Sequence, residues 1–403
     1  MRTTVKLVEN EPVQLIIPTY NWKLNTVDIC DVDDTKQGEE IFRHLQELNS
    51  IPFDLRELPI FRMKLIRISH DRYILAFVLH HFVFDGWSIN LFFHELSLTY
   101  SNLTGSQAES LEPLTVQYAD YVIWQRDTLA SQHFKVMESF WKDQLKNLDR
   151  SLSLPTEDSF SGSYEGESIP FVLPQDLSKR VRQYCAYSKT TLYSYLLSAL
   201  KILLHSYTGQ NDLLILTPVA CRNSKETESL IGYINNILPV RTIISDDLTC
   251  DQVIKRVQKS AANIYKYQEY PLELIMTLPE VRRISLTRCV FNFGPDLNLP
   301  LQANNSFRVS LYRSTRTTTN FDLFLNLVDN GDDIAGVVEY KTSIFNEEQI
   351  SLLINNYVKT LETMVISPDV TLLDLRKSIN LVDYWPILAI QNLTIVLKVV
   401  RLN

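Results

Sequence analysis

The sequence predicts an α/β protein built as more than one domain, and three observations lead there. At 403 residues the chain exceeds what one ordinary core encloses. Runs with strand-like apolar patterns alternate with runs of helical period through both halves. Between the halves lies "DRSLSLPTEDSFSGSYEG", residues 149–166, whose Ser, Asp and Gly mark a linker. We therefore expect a first lobe over residues 1–150, a second over 151–375, and an apolar tail over 376–403.

Each element has a local reason. The opening "TTVKLVENEPVQLIIP" alternates apolar and polar residues around "ENEP", which predicts a hairpin. In "TKQGEEIFRHLQELNSIPFDL", Ile41, Phe42, Leu45 and Leu48 recur at helical spacing and stop before Pro52. "PIFRMKLIRISHDRYILAFVLHH" predicts two strands around His70-Asp71. The second, Tyr73 to Leu79, is apolar on both faces, as in the central strand of a covered sheet. Ile89, Phe92, Phe93 and Leu96 then mark a helix, with Ser88 as its N-cap.

"LTVQYADYVIWQRDTLA" and "HFKVMESFWKDQLKNL" predict two further helices. Past the linker, "LSKRVRQYCAYS" and "TLYSYLLSALKILLHSYTG" read as helices, the latter closed by Gly209. "DLLILTPVACR", "TRCVFNFGP", "FDLFLNLVDN" and "IAGVVEYK" read as strands, and "NEEQISLLINNYVKTLETMV" as a last helix. The tail ends in "LTIVLKVV", a β-branched run that would aggregate if exposed.

Composition narrows the function. With 45% hydrophobic and 21% charged residues the chain is of the soluble globular class. A formal charge of -8 argues against a nucleic-acid partner, which would demand a basic stripe. No apolar run approaches the ~18 residues of a membrane helix, and the N-terminus has no apolar signal core, so neither membrane nor secretion is expected. Cys30, Cys185, Cys221, Cys250 and Cys289 show no C-x-x-C spacing and read as reduced core thiols of a cytoplasmic protein.

Two of the 7 histidines, His80 and His81, stand side by side at the end of a strand, with Asp85 and Gly86 just beyond. Successive strand side chains face opposite ways, so the two rings should serve different tasks. Gly86 reads as a turn position that allows φ > 0 and close approach of another group. Three readings compete: a structural pair bonded in the core, a metal site using His81 and Asp85, and acyl-transfer chemistry. The metal reading lacks a third ligand. In the third, an imidazole takes a proton at neutral pH while the aspartate fixes the loop.

"HHFVFDGWS" (80–88) resembles the H-H-x-x-x-D-G core of nonribosomal peptide synthetase condensation domains, a core shared with chloramphenicol acetyltransferase-like acyltransferases. Four further blocks recur in the family's order. "YADYVIWQ" (118–125) is similar to Y-x-D-[FY]-A-x-W-Q, and "TPVACRN" (217–223) to T-P-V-A-G-R-N. "IGYINNILPVR" (231–241) is similar to I-G-x-F-x-N-T-x-P-x-R, and "YQEYPLE" (267–273) to H-Q-D-x-P-F-E, with Tyr267 where His or Asn is usual. Taken singly, the blocks also read as packing: Tyr118, Tyr121 and Trp124 as a core-facing helix stripe, "YQEYPLE" as a helix end before Pro271, "IGYINN" as a turn.

The resemblance implies two chloramphenicol acetyltransferase-like lobes, each an α+β two-layer unit, forming a V around a central channel. It implies a catalytic set of His81, His80 and Gly86, in which His81 orients the attacking amine and takes its proton. The Gly86 N–H would meet the developing oxyanion. Asp85 would be structural, paired with Arg222, with Arg2 as second candidate. The implied partners are donor and acceptor peptidyl carrier domains and an adenylation domain. The 4'-phosphopantetheine arms belong to those carriers, so no bound cofactor or metal is expected. His80 argues against the cyclising subtype, and Ile89 after Ser88 against the epimerising one. The family's first blocks, S-x-x-Q-x-R-[LM]-[WY] and R-H-E-x-L-R-T, are represented only by "MRTT", so an N-terminally truncated lobe with exposed strand edges is expected. The alternatives are a free-standing coenzyme A-dependent acyltransferase and a non-catalytic remnant that recruits partners.

Overall fold

The computed structural model describes residues 2–104, 110–148, 150–154, 163–295, 301–303, 307–309 and 318–379. Nearly all of the expected tail and the middle of the linker lie outside them. The chain forms two compact units that interleave in sequence: residues 1–127, 220–235 and 297–313 in the first, and 128–219, 236–296 and 314–403 in the second.

In the first unit, β1 (Thr3–Val8) and β2 (Glu11–Ile16) form the expected antiparallel hairpin. Its two-residue turn places Glu9 and Asn10 at φ 51 and 65, the left-handed pair that a tight hairpin turn requires. A three-stranded sheet has the order β3 (Asn25–Asp28), β4 (Phe61–Arg67), β5 (Tyr73–Leu79). Helix α1 (Asp34–Ser50), capped by Asp33, packs Ile41 against Ile29 and Ile66, with Leu45 alongside. Phe42, expected on that face, is 46% exposed, because one residue turns it about 100° from Ile41. The ring of His44 is buried instead.

β5 is not a central strand: among the described residues it is the edge of its sheet, and only Ala76 is fully buried. An apolar pattern reports affinity for cover, not the number of neighbouring strands. Helix α2 (Gly86–Leu103) follows, and α3 (Tyr118–Leu129) buries Tyr121. Trp124, expected beside Tyr121, is 48% exposed.

The second unit is built on a six-stranded mixed sheet. Its elements are α4 (Gln132–Leu145), β6 (Gly166–Val172), α5 (Gln175–Ser188), α6 (Leu192–Thr208), β7 (Asp212–Val219) and β8 (Asn236–Ile243). They continue with α7 (Cys250–Tyr265), β9 (Cys289–Pro295), β10 (Leu323–Asp329), β11 (Ile334–Lys341), α8 (Glu347–Ile366) and α9 (Leu372–Ser378). The strand order is β6-β11-β10-β9-β7-β8, with β9 parallel to β10 and β7 and the other pairs antiparallel. Helix α6 is buried without a break from Ser194 to Tyr207, as an all-round apolar helix must be, and Gly209 closes it at φ 66.

Two of the family-like blocks meet inside this unit. The Asn236 amide donates to the carbonyls of Gln268 and Tyr270 at 2.8 and 2.7 Å, and its oxygen accepts from the Leu272 amide at 3.1 Å. Phe140 stacks on Tyr267 at 4.0 Å and Phe134 on Tyr270 at 4.7 Å. Four of the thiols are buried as expected, but Cys30 is exposed, since Ile29 rather than its neighbour faces the core. Among the described residues no helix is long and apolar enough to cross a membrane.

Candidate active site

The site lies within the first unit, where β5 gives way to α2. The strand ends at Leu79, so strict strand alternation does not govern the histidine pair. His80, in extended backbone, instead caps a single 3-10 turn, His81–Val83, and its Nδ1 accepts the Phe82 amide at 3.1 Å. The turn sends the rings to different surroundings. His80 is half-buried beside Phe53 and Phe82, and burial, then the neighbouring His81, pulls its pKa down. His81 is exposed, with its ring against Tyr233 at 5.2 Å and 80° between planes.

Asp85 ends the loop as the N-cap of α2, accepting from the Ser88 amide at 2.8 Å. Ser88, expected as the cap, is the third residue of the helix, and its hydroxyl donates to Asp85 Oδ1 at 2.7 Å. Arg222 Nη2 donates to both carboxylate oxygens at 2.9 and 3.0 Å, and both side chains are fully buried. The Ile234 and Asn235 amides donate to Oδ2 at 3.1 and 3.3 Å. Burial alone would raise the carboxyl's pKa; Ser88, Arg222 and these amides outweigh it and hold it below the usual range.

Arg2 takes no part in this cluster. Its guanidinium donates to the carbonyls of Ile17 and Pro18 at 3.1 and 2.7 Å, because pairing of β1 with β2 keeps it at the hairpin's open end. The geometry also disfavours a metal shared by His81 and Asp85, since both carboxylate oxygens already face donors. Gly86 is the first residue of α2; its φ is not in the left-handed region, and a Cβ there would meet nothing within 4 Å. Its expected turn role is therefore not what the structure uses.

The cluster extends to groups that pattern reading missed. Ser88 Oγ lies 3.0 Å from the Gly232 carbonyl and accepts the Gly232 amide at 3.1 Å. The Tyr118 hydroxyl donates to the Tyr233 carbonyl at 2.7 Å, and its pKa is pushed up to about 12, chiefly by burial. Trp87 Nε1 donates to the Glu228 carbonyl at 2.9 Å. Their signal was present as Ser88 one turn beyond Asp85 and as the glycine of "IGY", yet contacts spanning 144 residues are invisible to local patterns. Chemically, the arrangement offers one accessible imidazole, His81, beside the start of a helix, above a carboxylate fully engaged in holding the backbone.

Comparison with known proteins shows the family and the fold. The family model described as Condensation domain matches residues 1–377. One linear gramicidin synthase polypeptide of Brevibacillus parabrevis is 30% identical over 386 residues, covering 94% of this chain and 8% of the relative. A second polypeptide of the same synthase is 31% identical over 376 residues, covering 92% and 7%. The chain thus spans less than a tenth of the length of these relatives. Among solved structures, the first condensation domain of the calcium-dependent antibiotic synthetase aligns with a TM-score of 0.76 at 16% identity, covering 93% of this chain and 86% of that one. A four-domain nonribosomal peptide synthetase bound to AMP and glycine aligns with the same score of 0.76 at 20% identity, covering 93% and 29%. With a family match across nearly its whole length, this chain belongs to the condensation domains of nonribosomal peptide synthetases.

Proposed function

We propose that this chain joins a donor acyl or peptidyl thioester to the amine of an acceptor aminoacyl thioester. Each substrate is presented on the 4'-phosphopantetheine arm of a carrier domain, in a cytoplasmic synthetase that also holds an adenylation domain. The amine nitrogen attacks the donor carbonyl, the C–N bond forms, the C–S bond breaks, and the donor's thiol leaves. His81 orients the amine and accepts the proton it loses. The Gly86 N–H, at the start of α2, faces the oxygen that gains charge. A thioester is already activated, so alignment supplies much of the acceleration, up to ~7–11 kcal/mol for well-oriented reactants.

The observation that carries this reading is the division of labour in one motif: an exposed His81 beside a fully buried Asp85 bonded to Arg222. The test offers the purified full chain proteinogenic aminoacyl thioesters of pantetheine and of coenzyme A as donors, with aminoacyl-pantetheine acceptors. Dipeptidyl-pantetheine, seen by mass spectrometry and absent with His81→Ala, is the expected result. Product from coenzyme A donors alone, or undiminished product with His81→Ala, would overturn it.

A further inference from the structure

His81 differs from three of the chain's 7 histidines, His44, His80 and His205, in how its ring is held. The rings of His44, His80 and His205 each sit within hydrogen-bond distance of a neighbour. Among the described residues the His81 ring makes no hydrogen bond, and its contact is the ring of Tyr233, centroids 5.2 Å apart and planes at 80°. That is the edge-to-face geometry in which an aromatic pair attracts. An exposed imidazole without such a contact spreads over several rotamers, and misplacement of a reacting group lowers rate steeply.

The backbone of Tyr233 is fixed on both sides. Gly232 is bonded through both its amide and its carbonyl to Ser88 Oγ, at 3.1 and 3.0 Å. The Tyr233 carbonyl accepts from the Tyr118 hydroxyl at 2.7 Å, and the next amide, of Ile234, donates to Asp85 at 3.1 Å. Gly232 has a steric reason here: a Cβ at that position would overlap the Tyr118 ring, so only glycine lets the phenol approach the Tyr233 carbonyl.

We propose that Tyr233 is a positioning residue, its ring holding the His81 imidazole in one orientation through this edge-to-face contact, with Tyr118, Gly232 and Ser88 holding Tyr233. The inference rests on the catalytic role given to His81, but its first test needs no substrate. Full-length chain labelled with [13Cε1]histidine is followed by NMR across pH 5 to 9, the His81 signal being assigned by its loss in His81→Ala. In Tyr233→Ala the His81 signal moves toward the position of a free imidazole, whereas Tyr233→Phe keeps it displaced. For the most active thioester pair, Tyr233→Ala lowers kcat about tenfold with KM within about twofold, and Tyr233→Phe retains most of kcat.

An unmoved His81 signal in Tyr233→Ala, or equal loss of kcat in the Ala and Phe variants, overturns the proposal. Should Tyr233→Ala fail to fold, Tyr118→Phe decides: it keeps the ring but frees the Tyr233 carbonyl. The His81 signal then shifts if the inference holds and stays put if it does not. Absence of product from the wild-type chain would count against the reaction, while the His81 signal still decides the role of Tyr233.

Discussion

One buried ionisable side chain from each unit, Asp85 and Lys201, shows how differently the surroundings can treat such a group. Asp85, in the first unit, faces Arg222, the Ser88 hydroxyl and amide, and the amides of Ile234 and Asn235. Lys201, in the second, has among the described residues only the carbonyls of Leu213 and Val240, at 3.0 and 2.7 Å, as hydrogen-bond partners. Asp85 is held charged, whereas burial pulls the Lys201 pKa down to about 7. The surroundings explain the contrast. The second unit has a continuous apolar core around α6 and tolerates a poorly solvated amine within it. The first has few fully buried apolar residues and uses a hydrogen-bonded polar cluster to fix the segment 230–235 against the start of α2. Asp85 specifies where the backbone goes; Lys201 is a liability the core absorbs.

The largest expected effect breaks the Asp85–Arg222 cluster. Asp85→Ala strands the Arg222 guanidinium and costs about 3–5 kcal/mol, read as a lowered melting temperature and loss of soluble protein. The folded Asp85 pKa lies below its unfolded value, so its stabilisation is full above ~3.9 and is lost as pH falls through the folded value. Melts from pH 6 to 3 should show that acid slope, and Asp85→Asn should flatten it.

Lys201 should give the opposite slope. The folded lysine releases its proton near about 7, while the unfolded chain keeps it to ~10.4, so the unfolded state binds more protons between those values. Stability therefore rises with pH from 7 toward 10, by an amount of order 4 kcal/mol if nothing else titrates. Lys201→Met removes that rise, and urea melts at pH 7 and 9 would check it. A smaller effect, about 1–3 kcal/mol, is expected for Gly232→Ala, where the new methyl meets the Tyr118 ring. Adding Tyr118→Leu should return part of the loss, a coupling that a double-mutant cycle measures.

Elements whose signal is local were legible in the sequence. The β1–β2 hairpin has its turn residues, α6 its unbroken apolar run and Gly209, and α8 its periodic face. Failures came where a property depends on distant neighbours. β5 reads as central yet is an edge among the described residues, and Phe42 and Trp124 read as core yet stand in solvent. The site divides the same way. His80, His81, Asp85 and Gly86 are visible as one motif, and family resemblance pointed to Arg222, 137 residues away. Ser88 reads as a cap yet is the third residue of α2, because the two differ only by where the strand-to-helix turn ends. The contact of Tyr233 with His81 follows from backbone bonds to Tyr118 and Ser88 that no spacing encodes.

One paired measurement tests the division between chemistry and structure most directly: melting temperature and condensation turnover for His81→Ala and Asp85→Ala side by side. The account predicts that His81→Ala melts with the wild-type chain and forms no product, while Asp85→Ala loses both stability and turnover. An equal drop in melting temperature for the two variants, or full turnover without the His81 imidazole, would contradict it.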